Sequence, residues 1–268
     1  ENRSSLDRYT DVFGRLVQTR TFSGAPTALV TKFEYDVLDR QTKSINPKGQ
    51  QTLYGYNALS QLTQKTTPDG GTTKYRYDAK GQLRFVMDQN HANQDVDMQR
   101  KFIYYKYDKL GRVIEEGETV AGSSFDAANA TTTGDNGLDY PTWSGGTQSI
   151  LRTQRVYDAA YLAFGDYGQQ NLRGRVSAVI YNREGINSGV PPYDVDLYSY
   201  DDEGRVMWKV HMFVNAASAI EIKTKCSYAY DLQGMVLSEV YENLLSGASN
   251  GGWPRSGDGR GGQRGSEL

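Results

Sequence analysis

One seven-residue phrase recurs along the chain, and it constrains the fold more than any other feature of the sequence. It reads tyrosine, aspartate, two variable residues, glycine, a polar residue and an aliphatic residue. The clear copies begin at Tyr77, Tyr107, Tyr200 and Tyr230. A phrase that returns at intervals is typical of a fold made of supersecondary units that stack on one another.

Weaker copies extend the series toward the start of the chain. Tyr35 begins a copy with Asp39 in the glycine place, and Tyr56 begins one with Ser60 there. Tyrosines 35, 56 and 77 are 21 residues apart, and the later intervals are 30, 50, 43 and 30 residues. A short base interval with insertions between some units predicts a stack of β-hairpins.

One copy is interrupted. After Tyr157-Asp158 the expected glycine is missing, and we expect Gly174-Arg175-Val176 to complete the phrase behind an insertion. Near the start of the chain, Asp11 leads to Gly14-Arg15-Leu16 in the same way. The repeat therefore covers most of the chain.

The residues on both sides of the phrase alternate between apolar and polar side chains, which predicts strand, turn and strand. Aspartate can cap such a turn by accepting backbone N–H bonds, and glycine supplies the positive φ that closes it. We therefore predict that the aspartates and glycines of the clear copies are structural turn residues, namely Asp78, Gly81, Asp108, Gly111, Asp201, Gly204, Asp231 and Gly234.

Composition narrows the possible partners and cofactors. The net charge is −2, which gives no basic excess for nucleic acid, and no apolar run is long enough for a membrane helix. Cys226 is the only cysteine, so thiols cannot build a zinc cluster. We predict no cofactor, no metal site, no nucleic-acid partner and no membrane insertion.

The repeat sets the predicted domain organisation. Residues 1–245 are predicted to form one β domain, with an irregular insertion over residues 115–150. Residues 246–268 are rich in glycine and poor in aliphatic side chains, so they are predicted to form a flexible tail. That tail also has the composition of a cloning artefact.

The phrase resembles the YD-repeat, or Rhs-repeat, family over roughly residues 9–241. The family includes bacterial Rhs toxins, the C components of insecticidal toxin complexes and teneurin-like shells. The resemblance implies an all-β fold in which antiparallel β-hairpin repeats stack into a curved or spiralling sheet, here a partial shell. The Asp-Pro-x-Gly segment of the Rhs-associated core is missing from this sequence, so self-cleavage is not expected.

The first functional hypothesis is a structural and interaction scaffold. The resemblance implies a piece of a large bacterial protein, secreted or at the cell surface, that encloses a protein cargo or binds a cell-surface glycan. Tyr140 and Trp143 are the predicted contact residues because they are aromatic and lie off the repeat. Exposed sheet edges also favour a homodimer.

The alternative hypothesis is a carbohydrate-active hydrolase, a glycosidase that uses a pair of carboxylates across a groove. The candidate catalytic residues are acidic side chains of the predicted insertion, namely Glu115, Glu116, Glu118, Asp135 and Asp139. Further acidic residues outside the phrase are Glu184, Asp194 and Asp196. His211 is expected on the solvent side of its strand, opposite Trp208 and Val210.

Overall fold

The protein is all-β, as predicted. The computed structural model describes residues 5–22, 27–90, 102–119, 125, 149–182, 192–215 and 217–245. The strands are β1 (Ser5–Thr10), β2 (Leu16–Phe22), β3 (Leu29–Tyr35), β4 (Gln41–Ile45), β5 (Gln51–Tyr56), β6 (Leu62–Thr67), β7 (Gly71–Tyr77), β8 (Leu83–Met87), β9 (Ile103–Tyr107), β10 (Val113–Thr119), β11 (Ser149–Tyr157), β12 (Val176–Asn182), β13 (Tyr193–Tyr200), β14 (Val206–Val214), β15 (Ile220–Tyr230) and β16 (Val236–Asn243).

The order of the strands in the sheet is their order in the chain. Neighbouring strands from β1 to β9 and from β11 to β16 pair antiparallel. The predicted succession of antiparallel hairpins is therefore confirmed. By internal contacts the chain divides into unit 1, Glu1–Arg112 with Glu116–Ile150, and unit 2, Val113–Glu115 with Leu151–Leu268.

Most of unit 1 has no buried core. Among the described residues of β1 to β7, every side chain is either exposed or half-buried. These strands form a single layer whose two faces are both accessible. Their sequences are rich in threonine and tyrosine, which favour strands on a half-buried pleated surface. A closed hydrophobic core is therefore not what holds these hairpins together.

A small aromatic core begins at β8. Phe85, Met87, Phe102 and Tyr104 are buried together, and Phe125 packs against them. The ring centroids of Phe85 and Phe102 are 4.8 Å apart, and those of Phe102 and Phe125 are 5.3 Å apart. Tilted and edge-on contacts of this kind add to the burial of the rings.

Unit 2 has its core on one face of β12 to β14. The alternate residues Trp208, Val210 and Met212 of β14 are buried there with residues of the two preceding strands, Ala178, Val195 and Leu197. The insertion between Asp158 and Arg175 covers this face with Tyr161, Phe164 and Tyr167. An insertion in the repeat thus provides the second layer that a hairpin stack lacks.

The predicted irregular insertion at 115–150 needs a correction at both ends. Strand β10 continues through Thr119, and β11 already begins at Ser149. The reason lies at Gly117, because a side chain there would collide with the Ile150 carbonyl and the Tyr104 ring. Because Gly117 has no side chain, the backbone at Ile150 can approach it closely, and the acidic sequence around Gly117 can remain in a strand. Residues 126–148 and the predicted tail at 246–268 lie outside the described residues.

Candidate functional site

Each phrase forms the same five-residue turn, here called the YD turn. In the copy at Asp78, the carboxylate oxygen Oδ1 accepts the backbone N–H groups of Lys80 and Gln82 at 2.9 and 2.8 Å. The Asp78 N–H group donates to the Gln82 carbonyl at 2.9 Å, and the Gly81 N–H group donates to the Asp78 carbonyl at 3.0 Å. The aspartate therefore satisfies the backbone donors of the turn.

The glycine place is left-handed in every copy. Gly81, Gly111, Gly204 and Gly234 have φ between +82° and +89°. Asp39 and Ser60 occupy the same place in the weaker copies with φ of +61° and +60°. Glycine adopts this conformation without steric cost, and a residue with a Cβ does not.

The interrupted phrase closes as predicted. The Asp158 N–H group donates to the Arg175 carbonyl at 3.2 Å, and the Gly174 N–H group donates to Asp158 Oδ1 at 2.6 Å. Tyr157 pairs with Val176 across the hairpin. The prediction that Gly174-Arg175-Val176 completes the phrase is confirmed, and the residues between form the covering insertion of unit 2.

The tyrosine of each phrase bonds to the preceding repeat. Its hydroxyl group donates to the carbonyl of the residue that ends the preceding phrase, and we call this contact the inter-repeat tyrosine bond. The bonds join Tyr35 to Leu16, Tyr56 to Gln41, Tyr77 to Leu62, Tyr107 to Leu83, Tyr157 to Val113, Tyr200 to Val176 and Tyr230 to Val206, at 2.7–3.1 Å. This contact explains why the phrase needs tyrosine rather than another aromatic residue.

In several copies the polar residue after the glycine contacts the following repeat. In four copies it is an arginine whose Nε donates to the aspartate of its own turn at 2.6 Å. Arg40 also donates to the Asn57 carbonyl of the next turn at 3.0 Å. Its guanidinium lies 4.9 Å from the centroid of the Tyr56 ring, a cation–π contact. Arginine therefore links consecutive turns.

The turn contacts shift the pKa values of the groups that make them. Burial acts to raise the pKa of Asp201, but hydrogen bonds from the Arg205 side chain and backbone outweigh it and lower that pKa below its ordinary value. The same balance lowers the pKa of Asp11, Asp36 and Asp108. Burial raises the pKa of Tyr77 and Tyr200, which favours the neutral hydroxyl that donates.

A polar cluster lies on β13 and β14, on the face opposite the core of unit 2. His211 Nδ1 is 2.8 Å from Asp196 Oδ1, and its Nε2 is 3.5 Å from Asp194 Oδ1. Lys209 Nζ is 2.8 Å from Asp196 Oδ2. Asp196 is only 5% exposed, so these contacts compensate a buried carboxylate.

In this cluster, partner groups surround the Asp196 carboxylate and offset the cost of burying its charge. Both oxygens of Asp196 have partners, and the Tyr198 hydroxyl group also donates to Oδ2 at 3.4 Å. Burial, followed by the charge of Asp196, raises the pKa of Tyr198. Within the described ranges, no group of three or more histidine, cysteine, aspartate or glutamate side chains is placed to hold a metal ion.

His211 was expected to face solvent, and the structure shows a half-exposed ring paired with Asp196. It does lie on the opposite face from Trp208 and Val210, as the alternation predicts. The sequence of β14 alone could not predict this pairing. Asp196 lies on β13, and only the register of the two strands places it directly across from His211. The acidic residues at 194 and 196 were the available signal.

Three of the five predicted catalytic carboxylates lie in the described part of the chain. Glu115, Glu116 and Glu118 lie on strand β10 rather than on a loop. Successive residues of a strand point to opposite faces, so Glu115 is separated from the other two by the sheet. The other predicted site residues lie outside the described part of the chain, namely Asp135, Asp139, Tyr140 and Trp143, with Glu184.

Comparison with known proteins identifies the repeat. The family profile described as RHS Repeat matches residues 35–72 and 56–86. Residues 35–86 carry RHS repeats. The predicted resemblance to the YD-repeat, or Rhs-repeat, family is thereby confirmed, and the matched residues contain the inter-repeat tyrosine bonds of Tyr56 and Tyr77. No curated protein matches the chain.

Solved structures share the fold of this RHS-repeat sheet. A crystal structure of TcdB2–TccC3 matches 93% of this chain and 12% of that chain, with 14% sequence identity and a TM-score of 0.58. A structure of TcdB2–TccC3–TEV matches the same shares with 13% identity and a TM-score of 0.59. The chain therefore spans about one eighth of the length of these structures. At such identities the likeness shows the fold alone.

In the described part of the chain, no helix has the length and apolar content that crossing a membrane requires.

Proposed function

We propose that this chain is part of the wall of a larger RHS-repeat scaffold, secreted or at the cell surface, whose sheet contacts a partner polypeptide. This proposal rests on the inter-repeat tyrosine bonds and on the arginine contacts between consecutive turns. They join hairpins to their neighbours through hydroxyl, guanidinium and backbone groups, and they do so along β1 to β7, where no described side chain is buried. A sheet held in this way keeps both faces accessible to another molecule.

One face of unit 1 suits a polypeptide partner. Tyr54 pairs with Lys65, which pairs with Thr73, so Tyr54 and Tyr75 lie on the same face of neighbouring hairpins. Both rings are half-buried. Tyrosine offers a large apolar ring with a polar tip at low entropic cost, which suits contact with varied peptide sequences.

Peptide binding to this face can be measured directly. The full chain is immobilised, and a reduced and carboxymethylated polypeptide, which stays unfolded, serves as the probe in biolayer interferometry. We expect the double variant Tyr54→Thr, Tyr75→Thr to bind the probe several-fold more weakly. Leu53→Thr is the matched control because Leu53 is an exposed apolar residue on the other face of β5.

The outcome separates the proposal from a purely structural role. Weaker binding in the tyrosine variant with unchanged binding in the control supports contact through the tyrosine face. Absence of binding to the probe, or equal loss in the control, contradicts it. The glycosidase hypothesis and a glycan partner have no supporting observation in the described residues or in the comparisons, so they are not part of the proposal.

A further inference from the structure

Four of the five YD turns in unit 1 carry large apolar side chains at their tips, and these side chains are largely exposed. Val12 and Val37 are 94% and 97% exposed, and Leu59 and Leu110 are 79% and 77% exposed. We call the exposed apolar residues of these tips the turn ridge. It consists of Val12, Phe13, Val37, Leu38, Leu59 and Leu110.

Backbone groups hold the turns rather than these side chains, except that the Phe13 ring lies 5.0 Å from the Arg15 guanidinium. The two tip residues of a YD turn contribute backbone groups, as Leu59 does when its N–H group donates to Asn57 Oδ1. Polar residues occupy the same places elsewhere, as Lys80 does in unit 1 and Asp202-Glu203 do in unit 2. Turn positions favour polar residues, so an apolar ridge indicates a surface that another molecule covers.

The topology places the turn ridge along one edge of unit 1. The YD turns join β1 to β2, β3 to β4, β5 to β6, β7 to β8 and β9 to β10, so all lie at the same end of the strands. Successive tips are two strands apart, which is about 9.5 Å. The opposite edge has tips of a different kind, such as Pro47-Lys48-Gly49.

The charge along this edge is balanced. The five YD turns of unit 1 contain five acidic residues and five basic ones, Asp11, Asp36, Asp39, Asp78 and Asp108 against Arg15, Arg40, Lys80, Lys109 and Arg112. A neutral edge gives no attraction to an anionic surface. It also allows two identical edges to meet without net repulsion.

We propose that the turn ridge is a docking surface for the turn ridge of a second copy of this chain. Strand spacing sets the interval between tips, so a second sheet of the same repeat is a partner whose apolar side chains have a matching period. Burial of six such side chains at about 100 Å² each removes roughly 600 Å² of apolar surface per copy. Both copies together reach the lower limit of stable interfaces, about 1,200 Å².

Sedimentation velocity of the full chain over a wide range of concentration tests this surface. We expect a reversible dimer. The variant Phe13→Ser, Leu59→Ser, Leu110→Ser should weaken dimerisation about tenfold or more because it removes three of the apolar contacts. Leu232→Ser is the control, since Leu232 is a fully exposed tip residue in unit 2 beside the polar tip at 202–203.

Three results would overturn the proposal. The first is a chain that stays monomeric at every concentration. The second is a dimer that survives the ridge variant but is lost in Val240→Lys, which would place the contact on the edge strand β16. The third is ridge-dependent binding to phosphatidylcholine vesicles without a dimer. Serine is compatible with these turn positions, so we expect each variant to fold. Circular dichroism and thermal melting of each variant check this.

Discussion

At the scale of single residues, the inter-repeat tyrosine bond makes a specific prediction. Tyr77→Phe removes the hydroxyl group that donates to the Leu62 carbonyl at 2.9 Å and leaves a half-buried acceptor without that partner. We expect the free energy of unfolding to fall by about 1 kcal/mol. Tyr75→Phe is the control, because no hydrogen bond of its hydroxyl group is found in the described part of the chain. Equal destabilisation of the two variants in urea titrations would contradict a role for the bond.

Two glycines of the phrase allow the stability cost of backbone strain to be separated from the cost of a steric collision. Gly204 and Gly234 have φ of +89° and +83°, but only Gly204 faces a neighbouring side chain, the Arg175 guanidinium. Gly234→Ala should cost about 1–2 kcal/mol from the left-handed conformation alone. Gly204→Ala should cost more, because it also displaces Arg175 from the turn. Equal losses in chemical denaturation would show that Arg175 moves aside freely.

At the scale of elements, the insertion of unit 2 depends on one side chain. Gln169 Nε2 donates to the Ser177 and Tyr198 carbonyls at 2.7 and 2.8 Å, and its Oε1 accepts the Tyr161 N–H group at 2.9 Å. The amide thus fixes the covering segment to β12 and β13.

Gln169→Ala should therefore loosen the covering segment. It leaves backbone groups without partners beneath the insertion, which we expect to cost about 2–3 kcal/mol. Hydrogen exchange should rise at residues 159–173 and on the core face of β12 to β14. Gln170→Ala is the control, since Gln170 uses backbone groups to bond Ser199 and Tyr200. Exchange that rises equally in both variants would contradict the assignment to Gln169.

The sequence predicted the hairpins well because each phrase encodes its own turn. Aspartate, glycine and the alternating flanks are local signals, and even Asp39 and Ser60 could be placed in the left-handed position from spacing. The contacts between repeats could not be predicted in the same way. The bond from Tyr200 to Val176 joins residues 24 apart, and the Asp196–His211 pair depends on strand register.

The packing of the covering insertion could not be predicted from the sequence either. Its apolar residues Tyr161, Phe164 and Tyr167 follow neither a strand period nor a helix period, so the sequence does not indicate which surface buries them. They become ordered because β12 to β14 offer an apolar face. The extent of β10 is hard to predict for a related reason, because its acidic sequence is typical of a loop and only the structure places Gly117 beside Tyr104.

At the scale of the whole molecule, the tyrosine bonds make stability depend on alkaline pH. Burial raises the pKa of Tyr56, Tyr77, Tyr107, Tyr200 and Tyr230 above the ordinary value of 10.0. The folded chain therefore holds protons that the unfolded chain releases first. The resulting stabilisation is complete below pH 10.0 and is lost as the pH rises through the higher pKa values of the folded state.

We expect far-ultraviolet circular dichroism to stay constant up to about pH 10 and then to fall cooperatively, together with a rise in the absorbance of ionised tyrosine. A tyrosinate cannot donate to a carbonyl, so ionisation breaks the contacts between repeats in both units at once. Tyr77→Phe, which removes one ionisable donor, should begin to unfold at lower pH than the parent in proportion to its lower stability. A sheet that keeps its spectrum after its tyrosines have ionised would show that strand pairing alone holds the repeats together.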